Sequence, residues 1–219
     1  MNIRTAIRST PLIGPMLARL RAPDLVDSQA YWEDRYRSGG DSGAGSYTCL
    51  AEFKSEVLNA FVMERAVQTI VEFGCGDGAQ LALANYPHYV GFDVSTTVLD
   101  NCRRKFAGRP YTFLHQSEAG SVRAGLALSL DVIFHLVEDD VFESYMRNLF
   151  DASTQWVIVY SSNEDRIEAE HVRHRKFTKW VERNRADFAL VNVIPNRYPF
   201  NEADPEHSSF SDFYVYERC

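Results

Sequence analysis

Hydrophobic and polar positions along this chain follow two periods, one typical of helices and the other of strands. Leu50, Phe53, Val57 and Phe61 recur at helical spacing, which predicts an amphipathic helix that ends near Arg65. Beyond this helix, short runs of β-branched and apolar residues alternate with helical patterns. They predict strands at 69–73, 89–92, 111–114, within 126–134, at 156–160, 188–194 and 210–216, and helices at 79–84, 96–106, 138–150 and 170–185.

This alternation indicates an α/β fold, doubly wound, in which helices cover both faces of a mainly parallel sheet. The last two predicted strands are joined only by a loop. Because a parallel pair needs a crossover connection, the last strand is predicted to run antiparallel. We expect one domain, residues 31–219, after a loosely packed N-terminal leader, residues 1–30.

Composition narrows the possible partners and the compartment. The 219 residues are 45% hydrophobic and 24% charged, as in soluble globular proteins. A net charge of −7 makes nucleic acid a disfavoured partner. The four cysteines form no Cys-x-x-Cys pair, which favours the reducing cytoplasm. The leader carries four arginines around an interrupted apolar stretch, so weak contact with a membrane surface is an alternative to a loose leader. The oligomeric state stays open.

A glycine-rich turn follows the first predicted strand. Gly74, Gly76 and Gly78 stand at alternate positions behind Glu72, and glycine lets the backbone approach a ligand closely. With Ala79 the same turn also fits a dinucleotide fingerprint. Asp93 ends the next strand about 20 residues beyond the first glycine, where an acid accepts hydrogen bonds from ribose. Asp93 could instead cap the following helix, a role that Ser95 could also take.

Three segments resemble the motifs of class I S-adenosylmethionine-dependent methyltransferases. Residues 71–78 resemble motif I, residues 90–95 the segment that follows it, and residues 130–139 the fourth-strand motif. The resemblance implies a Rossmann-like sheet of seven strands with the last one antiparallel, and S-adenosylmethionine as cofactor. The cofactor-binding residues it implies are Glu72, Gly74, Gly76 and Gly78 for the methionine part, Asp93 and Val94 for the ribose, Gln116 and Ser117 near adenine, and Asp131, which could also be a core acid.

A second resemblance concerns the acceptor. Residues 31–36, the glycine- and serine-rich loop 38–46, residues 50–54 and residues 171–175 are similar to small methyltransferases encoded among bacterial polysaccharide-synthesis genes. This implies O-methylation of a sugar hydroxyl on a surface glycan, with a small-molecule natural product as the alternative acceptor. We expect loop 38–46, together with Tyr36 and Tyr47, to form a lid that contacts the substrate and excludes water.

His135 is the first candidate for the catalytic base. It follows the fourth strand, and ligands of open α/β sheets bind beyond the carboxyl ends of the strands. A histidine can accept the proton of a hydroxyl near neutral pH. The alternative is a histidine that caps the helix beginning near Glu138, in which case His171 or His174 is the next candidate.

A basic cluster at 171–175 is predicted to lie on a helix. There His171, His174 and Arg175 would share one face, and Arg173 would point elsewhere. Arg173 and Arg175 could bind an anionic group of the acceptor through the arginine fork, or the cluster could be a solvated helix face. His171 and His174 lack a clear third ligand, so no metal site is predicted.

Two other classes of protein stay open from the sequence alone. A nicotinamide-dependent oxidoreductase would fit the glycine-rich turn, but no tyrosine is followed four residues later by lysine, the catalytic pair of many short-chain enzymes. A non-catalytic protein that keeps the fold to bind a partner is also compatible with an intact cofactor loop.

Overall fold

The computed structural model describes residues 27–219, and their centre is a seven-stranded sheet. Its strand order is β3-β2-β1-β4-β5-β9-β8. The strands are β1 Thr69–Phe73, β2 His88–Asp93, β3 Tyr111–His115, β4 Ala124–Leu130, β5 Ser153–Ser161, β8 Phe188–Ile194 and β9 Asp212–Arg218, and a separate hairpin pairs β6 Arg166–Ala169 with β7 Val172–His174. The helices are α1 Ser28–Arg37, α2 Thr48–Glu64, α3 Thr96–Lys105, α4 Asp139–Asp151 and α5 Phe177–Asn184.

Strand direction confirms the predicted fold class. Strands β1 to β5 pair in parallel, whereas β9 is antiparallel to both β5 and β8. Six strands therefore share one direction, and the last strand of the chain opposes them. The chain has the α/β, Rossmann-like architecture that the sequence predicts.

Two hydrophobic cores lie on opposite faces of the sheet. Ile70 faces the core built with α2 and α3, whereas its neighbour Val71 faces the core built with α4 and α5. Successive residues of a strand point to opposite faces of the sheet, so a central parallel strand has buried side chains on both faces. The strand ends, not the faces, are thus left for binding.

Two element predictions were wrong in detail. Residues 79–84 form no α-helix but only a single 3₁₀ turn, Leu81–Leu83, because Pro87 follows closely and cannot extend a helix. Strand β4 ends at Leu130, since Asp131 adopts a left-handed φ of 58°. Helix α1 begins at Ser28, and residues 1–26 of the predicted leader lie outside the described residues.

The predicted helix 170–185 is also wrong over its first half. Residues 166–174 form the β6–β7 hairpin, and α5 begins only at Phe177. Arg173 lies in β7 and Arg175 follows it directly, and both donate to the carbonyl of Val137. These long-range contacts outweigh the local helix propensity of a charged run. None of the helices in the described part of the chain is long and apolar enough to cross a membrane.

Candidate functional site

A cavity of about 600 Å³ opens at the carboxyl ends of β1, β2 and β4. The chain order reverses between β1 and β4, and the crevice at such a switch point is where open α/β sheets bind ligands. Its size is in the ordinary range for a small-molecule site. The side chains that line it include five carboxylates, Glu72, Asp77, Asp93, Asp131 and Asp140, and two histidines, His115 and His135.

The glycine-rich turn forms one wall of this cavity. Gly74 and Gly76 line it with φ angles of 80° and 55°, a backbone region that strongly favours glycine. The backbone N–H groups of Gly74 and Cys75 both donate to the carbonyl of Phe92, which fastens the turn to β2. Gly78 does not line the cavity. It packs on the Phe106 ring, and a Cβ there would lie 2.6 Å from that ring.

Two buried carboxylates flank the turn. Burial raises the pKa of Glu72 to about 7, although a hydrogen bond from the Tyr89 hydroxyl at 2.7 Å opposes the shift. Burial likewise raises the pKa of Asp93 to about 6, against backbone hydrogen bonds from Ser95 and Gly76. A cationic or hydroxyl-bearing ligand would stabilise the charged form of both carboxylates, because it would replace the hydration that they lose on burial.

Ser95, and not Asp93, caps the helix that follows β2. The Ser95 hydroxyl accepts the Val98 N–H and is the N-cap of α3. The Asp93 carboxylate instead accepts the Gly76 N–H at 3.0 Å, which ties the end of β2 to the glycine-rich turn. A carboxylate has about four acceptor positions, so Asp93 keeps acceptor capacity on the cavity side.

Loop 38–46 folds over the turn through one acid, Asp77. The Asp77 side chain accepts the Ser42 N–H and the Tyr47 hydroxyl, and the Ser42 hydroxyl accepts the Asp77 N–H at 2.9 Å. Burial alone would raise the pKa of Asp77, but these hydrogen bonds, with one from Ala79, hold it below its usual value. The Tyr36 hydroxyl bonds to Ser42 at 3.0 Å and its side chain lines the cavity.

His135 lines the cavity next to Trp32. Its Nδ1 lies 3.1 Å from the His171 carbonyl, so this nitrogen carries the proton and donates. Nε2 is left as an acceptor with no protein partner among residues 27–219. Burial lowers the pKa of His135 to about 4, so the ring is neutral across the physiological range.

Asp131 pairs with Lys54, which is not among the site residues predicted from the sequence. The Lys54 ammonium lies 2.7 Å from the Asp131 carboxylate, with 1% of the Lys54 side chain exposed. The other Asp131 oxygen accepts the Ser211 hydroxyl at 2.8 Å. Lys54 follows Phe53 and precedes Val57 on the apolar face of α2, and a lysine on such a face was the signal available in the sequence.

The far end of the cavity is formed after β2 and β3. This end is lined by His115 and by three residues that the sequence predicts for cofactor binding, Val94, Gln116 and Ser117. The His115 ring bonds to the Val94 carbonyl at 3.1 Å and to the Ser117 hydroxyl at 2.8 Å. His115 thus joins the two loops that bound this end, a role visible only once the strands are paired.

The cluster at 171–175 lies beside the cavity, not in it. The Arg175 guanidinium donates to the carbonyls of Leu136 and Val137 and pairs with Asp139, and Arg173 also pairs with Asp139. These contacts hold the segment between His135 and α4. That Arg173 and Arg175 bind an anionic group of the acceptor remains a prediction.

The two histidines of this cluster differ in position. The His171 ring stacks on Tyr31 and runs parallel to His135 at a centroid distance of 6.1 Å. His174 is buried, with Nδ1 bonded to Ser162 and Nε2 to Glu168. Both nitrogens of His174 are therefore occupied. Within residues 27–219 no three His, Cys, Asp or Glu side chains are grouped as a metal site would require.

Comparison with known proteins bears on the fold. No protein-family model matches the sequence, and no curated protein matches it. Solved structures do match. The N-methyltransferase NodS from Bradyrhizobium japonicum, in complex with S-adenosyl-l-homocysteine, is 13% identical, with a TM-score of 0.65 over 88% of this chain and 99% of its own. Magnesium protoporphyrin IX methyltransferase from Synechocystis PCC 6803, with bound S-adenosylmethionine, is 14% identical, with a TM-score of 0.64 over 89% and 98%.

This chain has the methyltransferase fold. A third structure, a SAM-dependent methyltransferase from Anabaena variabilis, is 13% identical with a TM-score of 0.64 over 93% of this chain and 99% of its own. At such identities the likeness concerns the fold, and it leaves the acceptor open. The names of the similar proteins specify different acceptors, including a metalloporphyrin and a small RNA.

Proposed function

We propose that this protein transfers a methyl group from S-adenosylmethionine to an oxygen acceptor. The observation that carries the proposal is the pairing of buried Glu72 and Asp93 with the glycine wall of Gly74 and Gly76 in one cavity. These residues fit the cofactor. Carboxylates suit a cationic ligand that carries ribose hydroxyl groups, and Gly74 and Gly76 bring the backbone of the turn to the cavity wall.

The same cavity is poorly suited to a dinucleotide. Pyrophosphate binding in Rossmann folds relies on the N-terminus of an α-helix directly after the glycines. Here only the 3₁₀ turn Leu81–Leu83 follows, so that helix dipole is missing. Glu72 and Asp77 stand beside the turn, and their carboxylates would repel a diphosphate. These two features favour the methyl donor over NAD.

When bound, the cofactor supplies an electrophilic methyl group on its sulfonium. The protein residues would hold and orient the reactants, which is where an enzyme of this type lowers the barrier. Glu72, Gly74 and Gly76 would hold the methionine part, Asp93 and Val94 the ribose, and Gln116 and Ser117 the adenine. Gly78 would act indirectly, by packing the turn on Phe106.

The acceptor we propose is a sugar hydroxyl of a bacterial surface glycan, with a small natural product as the alternative. The support is the resemblance of residues 31–36 and 50–54 to methyltransferases of polysaccharide-synthesis clusters. In addition, the cavity wall around Trp32, Tyr36 and His135 combines aromatic rings with hydrogen-bonding groups, a surface that suits a polar ring with apolar faces.

His135 would receive the acceptor hydroxyl on Nε2. A neutral ring with its Nδ1 proton held by a carbonyl has the correct tautomer for this. Nε2 would take the hydroxyl proton as the O–CH₃ bond forms, and the low pKa of His135 means that the ring then releases this proton to solvent. His135→Ala should lower turnover by roughly 10²–10⁴-fold and leave cofactor affinity nearly constant.

The test is a screen of glycan and small-molecule hydroxyl acceptors with a labelled methyl donor, run with wild-type protein and His135→Ala. We expect label on a sugar oxygen from the wild type. Label transfer at an undiminished rate by His135→Ala would remove His135 from the chemistry. Cofactor binding without label transfer to any acceptor would favour a non-catalytic binding protein.

A further inference from the structure

The cavity contains one strong cation in acidic surroundings. Of the residues that line it in the described part of the chain, Lys54 is the single lysine or arginine, against five carboxylates. Its side chain is 1% exposed. Burial of an ammonium costs free energy unless its N–H groups make hydrogen bonds. The acceptors around Lys54 therefore indicate what it can bind.

The Lys54 ammonium has donors to spare. Three N–H groups are available, and one is bonded to Asp131 at 2.7 Å. The Tyr160 ring, 5.2 Å from Nζ, provides a cation–π contact. No other protein acceptor within residues 27–219 bonds to the ammonium, so its remaining donors can take an anionic group in the cavity.

Asp131 is fixed in place by its surroundings. It adopts a left-handed φ of 58°, its N–H donates to the Tyr160 carbonyl, and Ser211 holds one carboxylate oxygen. Gly45 of loop 38–46 packs against the other oxygen, and a Cβ at this glycine would lie 2.8 Å from it. Because these contacts hold Asp131 in a strained conformation beside buried Lys54, the two side chains form a preorganised ion pair.

We propose that Lys54 and Asp131 bind the zwitterionic amino-acid end of the methyl donor, with Lys54 on its carboxylate and Asp131 on its ammonium. This inference rests on the proposed function. A zwitterion carries both charges on neighbouring atoms, and it is matched by one cation and one anion held side by side. The other four lining acids would repel a carboxylate, which leaves Lys54 as its partner. Gly45 then closes the loop over this end.

The test measures binding and needs no turnover. S-adenosylhomocysteine has the amino-acid end, whereas 5′-methylthioadenosine has the same nucleoside and sulfur without it. Lys54→Met should weaken S-adenosylhomocysteine by about 10- to 100-fold, the scale of a charge-assisted hydrogen bond, and leave 5′-methylthioadenosine unchanged. Lys179→Met, a lysine whose side chain is 53% exposed on α5, is the matched control and should change neither.

A second arm uses the wild-type protein and so does not depend on a variant that folds. S-adenosylhomocysteine without its carboxyl group should bind wild type about 10- to 100-fold more weakly than the intact ligand. Equal affinities would overturn the inference, as would equal loss of both ligands in Lys54→Met. Unchanged cofactor affinity with a raised acceptor KM in Lys54→Met would also overturn it and assign the lysine to an acceptor carboxylate. Failure of wild type to bind S-adenosylhomocysteine at all would instead refute the proposed function.

Discussion

At the scale of single residues, the glycines of the turn have different tasks. A Cβ on Gly76 would collide with the Ser42 hydroxyl of loop 38–46, whereas one on Gly78 would press on Phe106. Both glycines have a left-handed φ, so either change to alanine should lower the free energy of unfolding by about 1–3 kcal/mol. Gly76→Ala should in addition weaken S-adenosylmethionine by about tenfold or more, a loss of about 1.4 kcal/mol, because the loop can no longer close.

Titration calorimetry and urea unfolding on the two variants separate these effects. Gly125→Ala is the control, since its Cβ would meet only ordinary contacts at 3.6 Å or more. A Gly76→Ala protein with wild-type affinity would show that the turn and the loop are not coupled.

Glu72 gives cofactor binding a pH dependence. Its pKa is raised to about 7 by burial, so the carboxyl is protonated below this pH and charged above it. A cationic ligand favours the charged form. Affinity for S-adenosylmethionine should thus rise as pH increases from about 6 to 8, with proton release on binding near pH 7.

Calorimetry in buffers of different ionisation enthalpy detects the released proton, and Glu72→Gln should flatten the rise in affinity. A pH-dependent affinity that survives in Glu72→Gln would assign it to another group, with Asp93 next.

At the scale of elements, loop 38–46 is held shut by the Asp77 and Ser42 side chains, to which the hydroxyls of Tyr47 and Tyr36 bond. Removing the Tyr47 hydroxyl bond to Asp77 should loosen the loop without opening a cavity. Tyr47→Phe should raise the dissociation rate of S-adenosylhomocysteine by about 10- to 100-fold, the scale of one hydrogen bond to a charged group. Stopped-flow displacement measures this rate. Tyr111→Phe, which loses a remote bond to the Tyr86 carbonyl, is the control, and equal rates in both variants would argue against a lid.

The β6–β7 hairpin supports the segment that carries His135. Arg175 donates to two carbonyls between His135 and α4, so Arg175→Ala should lower kcat by disturbing this segment. If the arginine bound an anionic acceptor instead, its loss would raise KM, most strongly at low salt. Steady-state kinetics at two salt concentrations decides between the two roles.

The elements also show how far the sequence could be interpreted. Periodicity predicted all seven sheet strands, because their apolar patterns are local. The short loop before the last strand predicted that this strand is reversed. It failed at 170–185, where the partners of Arg173 and Arg175 lie on a loop more than 30 residues away in sequence. The motif located Glu72, Gly76 and Asp93 in one cavity. The Lys54–Asp131 pair joins α2 to the residue that follows β4, and it depends on tertiary packing.

At the scale of the whole molecule, charge favours small or uncharged acceptors. The net charge is −7, and five carboxylates line the cavity. Some proteins of this fold are named as RNA methyltransferases, but the field of this chain would repel a phosphate backbone. We expect no binding of single-stranded RNA at physiological salt in a fluorescence-anisotropy titration. Micromolar affinity with a steep salt dependence would contradict this and redirect the search for an acceptor.

The central claim is that the cavity at the carboxyl ends of β1, β2 and β4 binds S-adenosylmethionine. The most direct test is calorimetric titration of the purified protein with S-adenosylmethionine and, separately, with NAD. We predict saturable binding of S-adenosylmethionine at one site and none of NAD, and Asp93→Ala should weaken the methyl donor by about 1–3 kcal/mol. Binding of NAD, or S-adenosylmethionine affinity that does not change in folded Asp93→Ala and Gly76→Ala proteins, would contradict the account.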